Sequence, residues 1–235
     1  MNNFPKISYS KVDKITLTRS GYLPDTVTDT SLQSKVSPAV DDFRYFFNIE
    51  CKDIFFKVSN QLKLLDVGCG SGEYYNFFKN FIQINIKYSG CEINDYLVNL
   101  CKKTSPSGRF FKSYADNIEA NDNQYDIVFS SASLQYTIDR WKESLTEMKR
   151  VSNKYVMILR MPVSKYNETC FVEQTVIYKN SNEKYTLIVL NRTELENMFS
   201  RLKLKIVKRD YTLEIIDVNG IDEKIFFTQY LLEKK

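Results

Sequence analysis

The sequence predicts an α/β protein built on a doubly wound, mostly parallel sheet. Three observations carry that prediction. Short apolar runs alternate with helical stretches of about ten residues or more, the pattern of repeated βαβ units. The first run stops at a glycine-rich turn, Gly68-Cys69-Gly70-Ser71-Gly72, which opens a helix. The last third instead shows two strand-like runs around Asn180-Ser181-Asn182, the mark of a hairpin.

The elements follow in order. Residues 1–36 have weak periodicity and turn formers such as Ser20-Gly21 and Pro24-Asp25, an irregular arm with one short helix. Ser37-Pro38 supplies an N-cap and a proline for the first helical position. Val40, Phe43, Phe46, Phe47, Ile54, Phe55 and Val58 then recur at helical spacing, predicting a helix over 38–59. Leu62 to Val67 reads as a buried strand, Glu73 to Phe81 as a helix, Tyr88 to Glu92 as a second strand and Asp95 to Lys103 as a second helix. Arg109 to Lys112 and Tyr125 to Ser130 are the third and fourth strands. Arg140 to Val151 is helical, with Trp141, Leu145 and Met148 on one face, and Lys154 to Leu159 is the fifth strand. Thr175–Lys179 and Tyr185–Leu190 form the hairpin. Thr193 to Arg201 is a helix capped by Asn191 or Thr193, followed by strands at Leu204–Lys208 and Ile225–Leu231. With no internal repeat and no clear linker, the 235 residues read as one domain.

Composition narrows the function. Apolar residues at 43% and charged residues at 26% exclude a disordered chain. A net charge of +4 is too small for a dedicated nucleic-acid binder. The 16 Tyr and 16 Phe reflect an AT-rich coding bias before they reflect a binding surface. The chain has no histidine, which excludes a His-based triad, an imidazole base and any His-ligated zinc. The five cysteines are widely spaced with no C-x-x-C pair, so no metal site is expected. Met1 to Ser20 is polar and carries four cations, unlike a secretory leader, and no apolar run approaches a membrane span. A cytoplasmic protein with reduced thiols is expected.

The glycine loop holds the chemistry. Glycines permit positive φ and close approach of a ligand to backbone, and the helix that follows offers its N-terminal amides. Glu92 stands at the end of the next strand, 20 residues after Gly72, where a carboxylate can accept hydrogen bonds from ribose hydroxyls. A dinucleotide fold wants G-x-G-x-x-G, whereas this loop reads G-x-G-x-G with Asp66 two residues before it. A carboxylate there repels a diphosphate and suits a cation, such as an ammonium or a sulfonium.

Asp66-Val67-Gly68-Cys69-Gly70-Ser71-Gly72 resembles motif I of the class I S-adenosylmethionine-dependent methyltransferases. The resemblance covers about residues 60–160 and implies a Rossmann-like sheet of seven strands with an antiparallel last strand. It implies S-adenosyl-L-methionine as cofactor, held by Asp66, Gly68, Cys69 through its backbone, Gly70 and Gly72. Glu92 with Ile93 would meet the ribose, and Asp116 the adenine amino group, with Ala115 and Asn117 flanking the ring. Ser130 and Ser131 would lie beside the transferred methyl. Ser130-Ser131-Ala132-Ser133-Leu134-Gln135-Tyr136 also resembles the S-S-x-L-Q-Y signature of a little-characterised bacterial methyltransferase family found with surface-polysaccharide genes. Arg160 with Pro162, Gln174 and Ser20-Gly21-Tyr22 are similar to further elements of that family, although Leu159 and Met161 replace its usual neighbours of the arginine.

On this reading residues 1–60 act as a lid, with Arg19 and Tyr22 closing over the cofactor. Residues 61–160 are the cofactor-binding core, and 161–235 carry the substrate-side hairpin and C-terminal strands. Tyr136, Gln135 and Glu173 are the candidate catalytic residues, and Arg160, Gln174 and Tyr166 the candidate substrate contacts. The expected reaction is O- or N-methylation of a small-molecule or sugar-containing acceptor. An RNA or protein methyltransferase, a non-catalytic S-adenosylmethionine-binding protein and a nicotinamide oxidoreductase are the alternatives.

Overall fold

The computed structural model describes residues 3–4, 6–7, 45–47, 51, 53–54, 58, 61–81, 85–177 and 182–235. The arm residues Arg19 and Tyr22, the lid role and most of the helix expected over 38–59 lie outside these residues. Of that helix, Phe46, Phe47 and Cys51 are buried in the core.

The strands are β1 (Asn3–Phe4), β2 (Lys6–Ile7), β3 (Leu62–Val67), β4 (Ile86–Glu92), β5 (Arg109–Lys112), β6 (Tyr125–Ser131), β7 (Ser152–Ser164), β8 (Cys170–Ile177), β9 (Asn182–Asn191), β10 (Leu204–Val218) and β11 (Ile225–Lys234). The helices are α1 (Glu73–Phe81), α2 (Asp95–Thr104), α3 (Trp141–Val151) and α4 (Arg192–Arg201). Seven strands form the main sheet in the order β5-β4-β3-β6-β7-β11-β10. β3 to β7 are mutually parallel. The last strand, β11, runs antiparallel to both its neighbours and slots between β7 and β10. This is the doubly wound α/β fold the sequence predicts, last strand included.

Apolar alternation explains the layers. Leu64, Phe129 and Leu231 face one side, where they meet Phe77, Phe78 and Tyr88. Leu65, Val128, Tyr230 and Leu232 face the other, against Trp141, Leu145 and Phe199. α2 begins at Asn94, whose side chain accepts from the amides of Tyr96 and Leu97, and α4 at Asn191, which accepts from Glu194. Such caps satisfy amides that would otherwise lack partners.

The C-terminal third departs most from expectation. β7 and β10 run 13 and 15 residues, well beyond the short strands the sequence suggests. Register shifts explain this: pairing between β7 and β11 skips between Thr228 and Tyr230, and pairing between β10 and β11 skips twice. A bulge breaks the simple alternation that sequence reading depends on. The β8–β9 hairpin joins the sheet where β9 runs beside the end of β7, at Val163↔Leu190 and Ser164↔Asn191. It encloses a third apolar cluster that includes Val172, Leu187, Ile225 and Phe227.

Candidate functional site

A cavity of about 380 Å³ opens at the carboxyl ends of β3, β4 and β6. One wall carries Glu92, Ile93, Leu97 and Ser113 to Asp116; the other carries Ala132, Ser133, Tyr136, Thr137, Arg140 and Ser144; Val67, Gly68 and Gly70 lie between them.

The loop between β3 and α1 holds Gly68, Gly70 and Gly72 at φ of +77°, +53° and +80°, all left-handed. Gly68 is fixed for a second reason: a Cβ there would fall 1.9 Å from Ser133 Oγ and 2.6 Å from Ser133 Cβ. The two segments therefore touch through a position that only hydrogen can fill. The amides of Gly68 and Cys69 both donate to the carbonyl of Cys91, at 2.8 and 3.1 Å, tying the loop to β4.

Glu92 completes that tie. Its Oε2 accepts from the Gly70 amide at 3.1 Å, and its Oε1 accepts from the amides of Ile93 and Asn94 at 2.8 and 3.1 Å. Burial pushes its pKa up, and the three amides oppose that shift. Of roughly four lone-pair positions on a carboxylate, one on Oε2 remains open toward the cavity.

Asp66 is placed differently. It does not line the cavity. It is fully buried beneath the loop, where Tyr88 donates its hydroxyl to Oδ2 at 2.5 Å. Burial raises its pKa to about 8, the Tyr88 hydrogen bond lowers it, and nearby Glu92 adds to the rise. At neutral pH this group is mostly uncharged, so the cation-facing carboxylate expected from the sequence is not found there.

The turn after β5 is set by Ser113, whose Oγ donates to the Asn117 carbonyl and accepts from the Glu119 amide, at 3.0 and 2.9 Å. It points Ala115 and Asp116 into the cavity and leaves Asn117 outside. Asp116 pairs with Arg140 across the opening, Oδ2 to Nη2 at 3.0 Å.

Toward the hairpin the expected residues separate. Tyr136 lines the cavity and donates its hydroxyl to Gln174 Oε1 at 3.2 Å. Glu173 lies on the opposite face of β8, as strand alternation requires, and pairs with Lys184 at 2.8 Å. It is therefore not beside Tyr136. Ser131 and Tyr74 share a buried hydrogen bond of 2.6 Å, and Ser130 is buried in β6. Gln135 is buried outside the cavity lining. Arg160 is buried at the β7 bulge with φ +55°, its guanidinium 5.0 Å from the Phe227 ring centroid. Tyr166 is 74% exposed, away from the cavity beneath the Lys165 ammonium. Cys69 and Gly72 belong to the loop without lining the cavity, and all five cysteines are buried free thiols.

Among the lining residues, sequence reading singles out none of Ser113, Thr137, Arg140 and Ser144. Thr137 lies next to the S-S-x-L-Q-Y stretch, which is the signal that points to it. Arg140 carries no such signal.

Residues 65–157 match the family model described as a methyltransferase domain. The chain is 22% identical over 169 residues to the ubiquinone/menaquinone biosynthesis C-methyltransferase of Campylobacter jejuni, covering 67% of this chain and 70% of that one. It shares its fold with a SAM-dependent methyltransferase of Methanosarcina mazei, at a TM-score of 0.58 and 15% identity over 77% of this chain and 96% of the other. It also shares its fold with the SAM-bound magnesium protoporphyrin IX methyltransferase of Synechocystis PCC 6803, at a TM-score of 0.56 and 10% identity over 97% and 100%. The matched domain and the likeness to these enzymes support an S-adenosylmethionine-dependent methyltransferase. The chain is an enzyme of that kind, with S-adenosyl-L-methionine as its cofactor.

The residues present fit such a group. The cavity volume lies within the range of small-ligand sites. Gly68 and Gly70 line it with bare backbone, and a buried carboxylate with an open acceptor position faces it. Among the described residues no cluster of His, Cys, Asp or Glu could hold a metal, and no helix is long and apolar enough to cross a membrane.

Proposed function

We propose that the protein, as one domain over 1–235, methylates a small-molecule or glycan-precursor acceptor at oxygen or nitrogen, in bacterial cytoplasm and in the service of surface-polysaccharide synthesis. The observation that carries the cofactor part is the Gly70–Glu92 hydrogen bond, which makes the glycine loop and the ribose carboxylate one unit. The small-molecule part is supported by the relative and the structural neighbour named for quinone and porphyrin chemistry.

Each residue has a role on this reading. The Gly68–Gly72 loop supports the methionyl end, with Asp66 positioning it from below through Tyr88. Glu92 Oε2 accepts one ribose hydroxyl directly, and a second requires the Gly70 amide to let go. Asp116 takes the base amino group, with Ala115 and Ile93 against the ring. Tyr136, Gln135 and Gln174 form the acceptor side, with Arg160, Ser130 and Ser131 behind it. Arg19 and Tyr22 close over the cofactor, Asn117 stays with the base-side turn, and Tyr166 and Glu173 belong to the surface beyond the cavity.

When bound, the cofactor supplies an electrophilic methyl group on a sulfonium. The protein's task is to hold that group and the acceptor in line and to exclude water. No histidine is present to take a proton, so a hydroxyl acceptor would pass its proton to the ionised form of Tyr136, its phenolate, or to water.

The test is thermal unfolding with ligand, since a compound that binds only the folded state raises the melting temperature. S-adenosylhomocysteine at 100 times its Kd should stabilise the protein by about 2.7 kcal/mol. Glu92→Ala should abolish that gain. Stabilisation by NAD and none by S-adenosylhomocysteine would overturn the reading.

A further inference from the structure

Arg140 departs from local rules. It occupies the N-cap of α3, where Ser, Thr, Asp or Asn is favoured, and makes no capping hydrogen bond. Its cation sits at a helix N-terminus, against the helix dipole. It is carried there by a turn kinked at Ile138, a β-branched residue held at φ 53°, ψ −110°. Departures of this kind concentrate at sites selected for something other than stability.

The gain is not in the ion pair as such. Arg140 and Asp116 side chains are 46% and 23% exposed, and pairs so open to water add little to stability. Nor is Arg140 needed to hold the Asp116 turn in place. Arg150 donates to the carbonyls of Ile118 and Ala120, both at 2.8 Å, and Glu147 accepts from the Ile118 amide at 2.9 Å. The turn is thus fastened to α3 from one side. Arg140 reaches it from the start of the same helix and grips only the carboxylate.

We infer that Arg140 is a positioning residue that sets the base selectivity of the cavity. By holding Asp116 through Oδ2, it presents the other oxygen to an exocyclic amine and turns away a base that carries a carbonyl at that place. The inference rests on the proposal that the cavity takes an adenosyl group with its base at Asp116. Glu143, whose Oε1 lies 3.9 Å from Arg140 Nε, steadies the guanidinium from the other side.

The experiment is calorimetric titration of S-adenosylhomocysteine and of its hypoxanthine analogue, S-inosylhomocysteine. The proteins compared are the wild type, Arg140→Gln, Arg140→Lys and Asp116→Asn. The wild type should prefer the adenine ligand by about 10-fold or more, the worth of one hydrogen bond to a charged acceptor. Arg140→Gln should shrink that preference below about 3-fold while still binding both ligands, and Arg140→Lys should restore part of it, because a single contact needs no guanidinium fork. A merely structural role would weaken both ligands alike and leave the ratio unchanged. An unchanged ratio in Arg140→Gln, with the ratio lost in Asp116→Asn, overturns the inference and spares the assignment of Asp116. No preference in the wild type overturns both.

Discussion

Asp66 and Glu92 are buried carboxylates at the ends of neighbouring parallel strands, and they do opposite things. Asp66 sits in register with Gly90, two residues before Glu92. It faces down, meets a side-chain phenol, and keeps its proton up to about pH 8. Glu92 faces the cavity, meets three backbone amides, and retains one open acceptor position. The lesson is that a carboxylate's use is fixed by the donors its backbone turns toward it. Burial pushes the pKa of both carboxyls up; at Asp66 a single phenol opposes the rise, and at Glu92 three amides oppose it. Amides cannot give up a proton, so they hold Glu92 as an acceptor.

The sharpest way to break the comparison is at the residue that separates the two sides. Gly68→Ala forces a left-handed alanine and drives its methyl into Ser133. The variant should lose about 3 kcal/mol of stability, combining backbone strain with overpacking, and should not bind S-adenosylhomocysteine. Pairing it with Ser133→Gly should recover the steric part alone, so the double variant lands between the two in chemical denaturation. Wild-type binding by the single variant would show that the loop does not need its present shape.

A smaller effect tests the protonation of Asp66. Its folded pKa lies above the ordinary 3.8, so the folded state binds more protons than the unfolded one between about pH 4 and pH 8. Wild-type stability therefore falls as pH rises through that window. Asp66→Asn keeps an acceptor for Tyr88 and has no such slope. Its advantage over wild type should be absent near pH 4, grow steadily as pH rises toward 8 and level off above. Its affinity for S-adenosylhomocysteine should change little compared with the loss in Glu92→Ala. Parallel stability curves across the pH range would mean that Asp66 ionises freely.

Where the sequence was legible and where it was not follows the same division. The places of Gly68, Gly70 and Glu92 at the cavity are legible from strand ends that apolar patterning locates, and those of Ala115 and Asp116 from the resemblance to methyltransferase motifs. The direction of Asp66 could not, because it depends on Tyr88 of the adjacent strand offering a hydroxyl underneath. Arg140 was hidden because a kink at Ile138, not a period, brings it over the cavity. Glu173 and Gln174 both read as cleft residues just ahead of the strand expected at Thr175–Lys179. Once β8 pairs with β9, alternation sends them to opposite faces. The long strands β7, β10 and β11 were misjudged wherever a bulge resets the alternation.

The smallest predicted effect falls on the far wall, at Tyr136. Its ring lines the cavity, while its hydroxyl turns outward to Gln174 and its ring edge meets Tyr185 at a centroid distance of 6.5 Å. The residue therefore faces both ways, with an apolar body toward the cavity and a polar tip toward the hairpin. Tyr136→Phe keeps the body and removes the tip. One neutral hydrogen bond is worth about 1 kcal/mol net, so the melting temperature should fall by only a few degrees. The affinity for S-adenosylhomocysteine should stay within about 2-fold, since the ring surface it presents is unchanged. Methyl transfer divides the two uses of the hydroxyl. If it only pins the hairpin, Gln174→Leu should lower turnover as much as Tyr136→Phe does. If it also takes the acceptor's proton, Tyr136→Phe alone should flatten the rise of rate with pH, while Gln174→Leu keeps that rise.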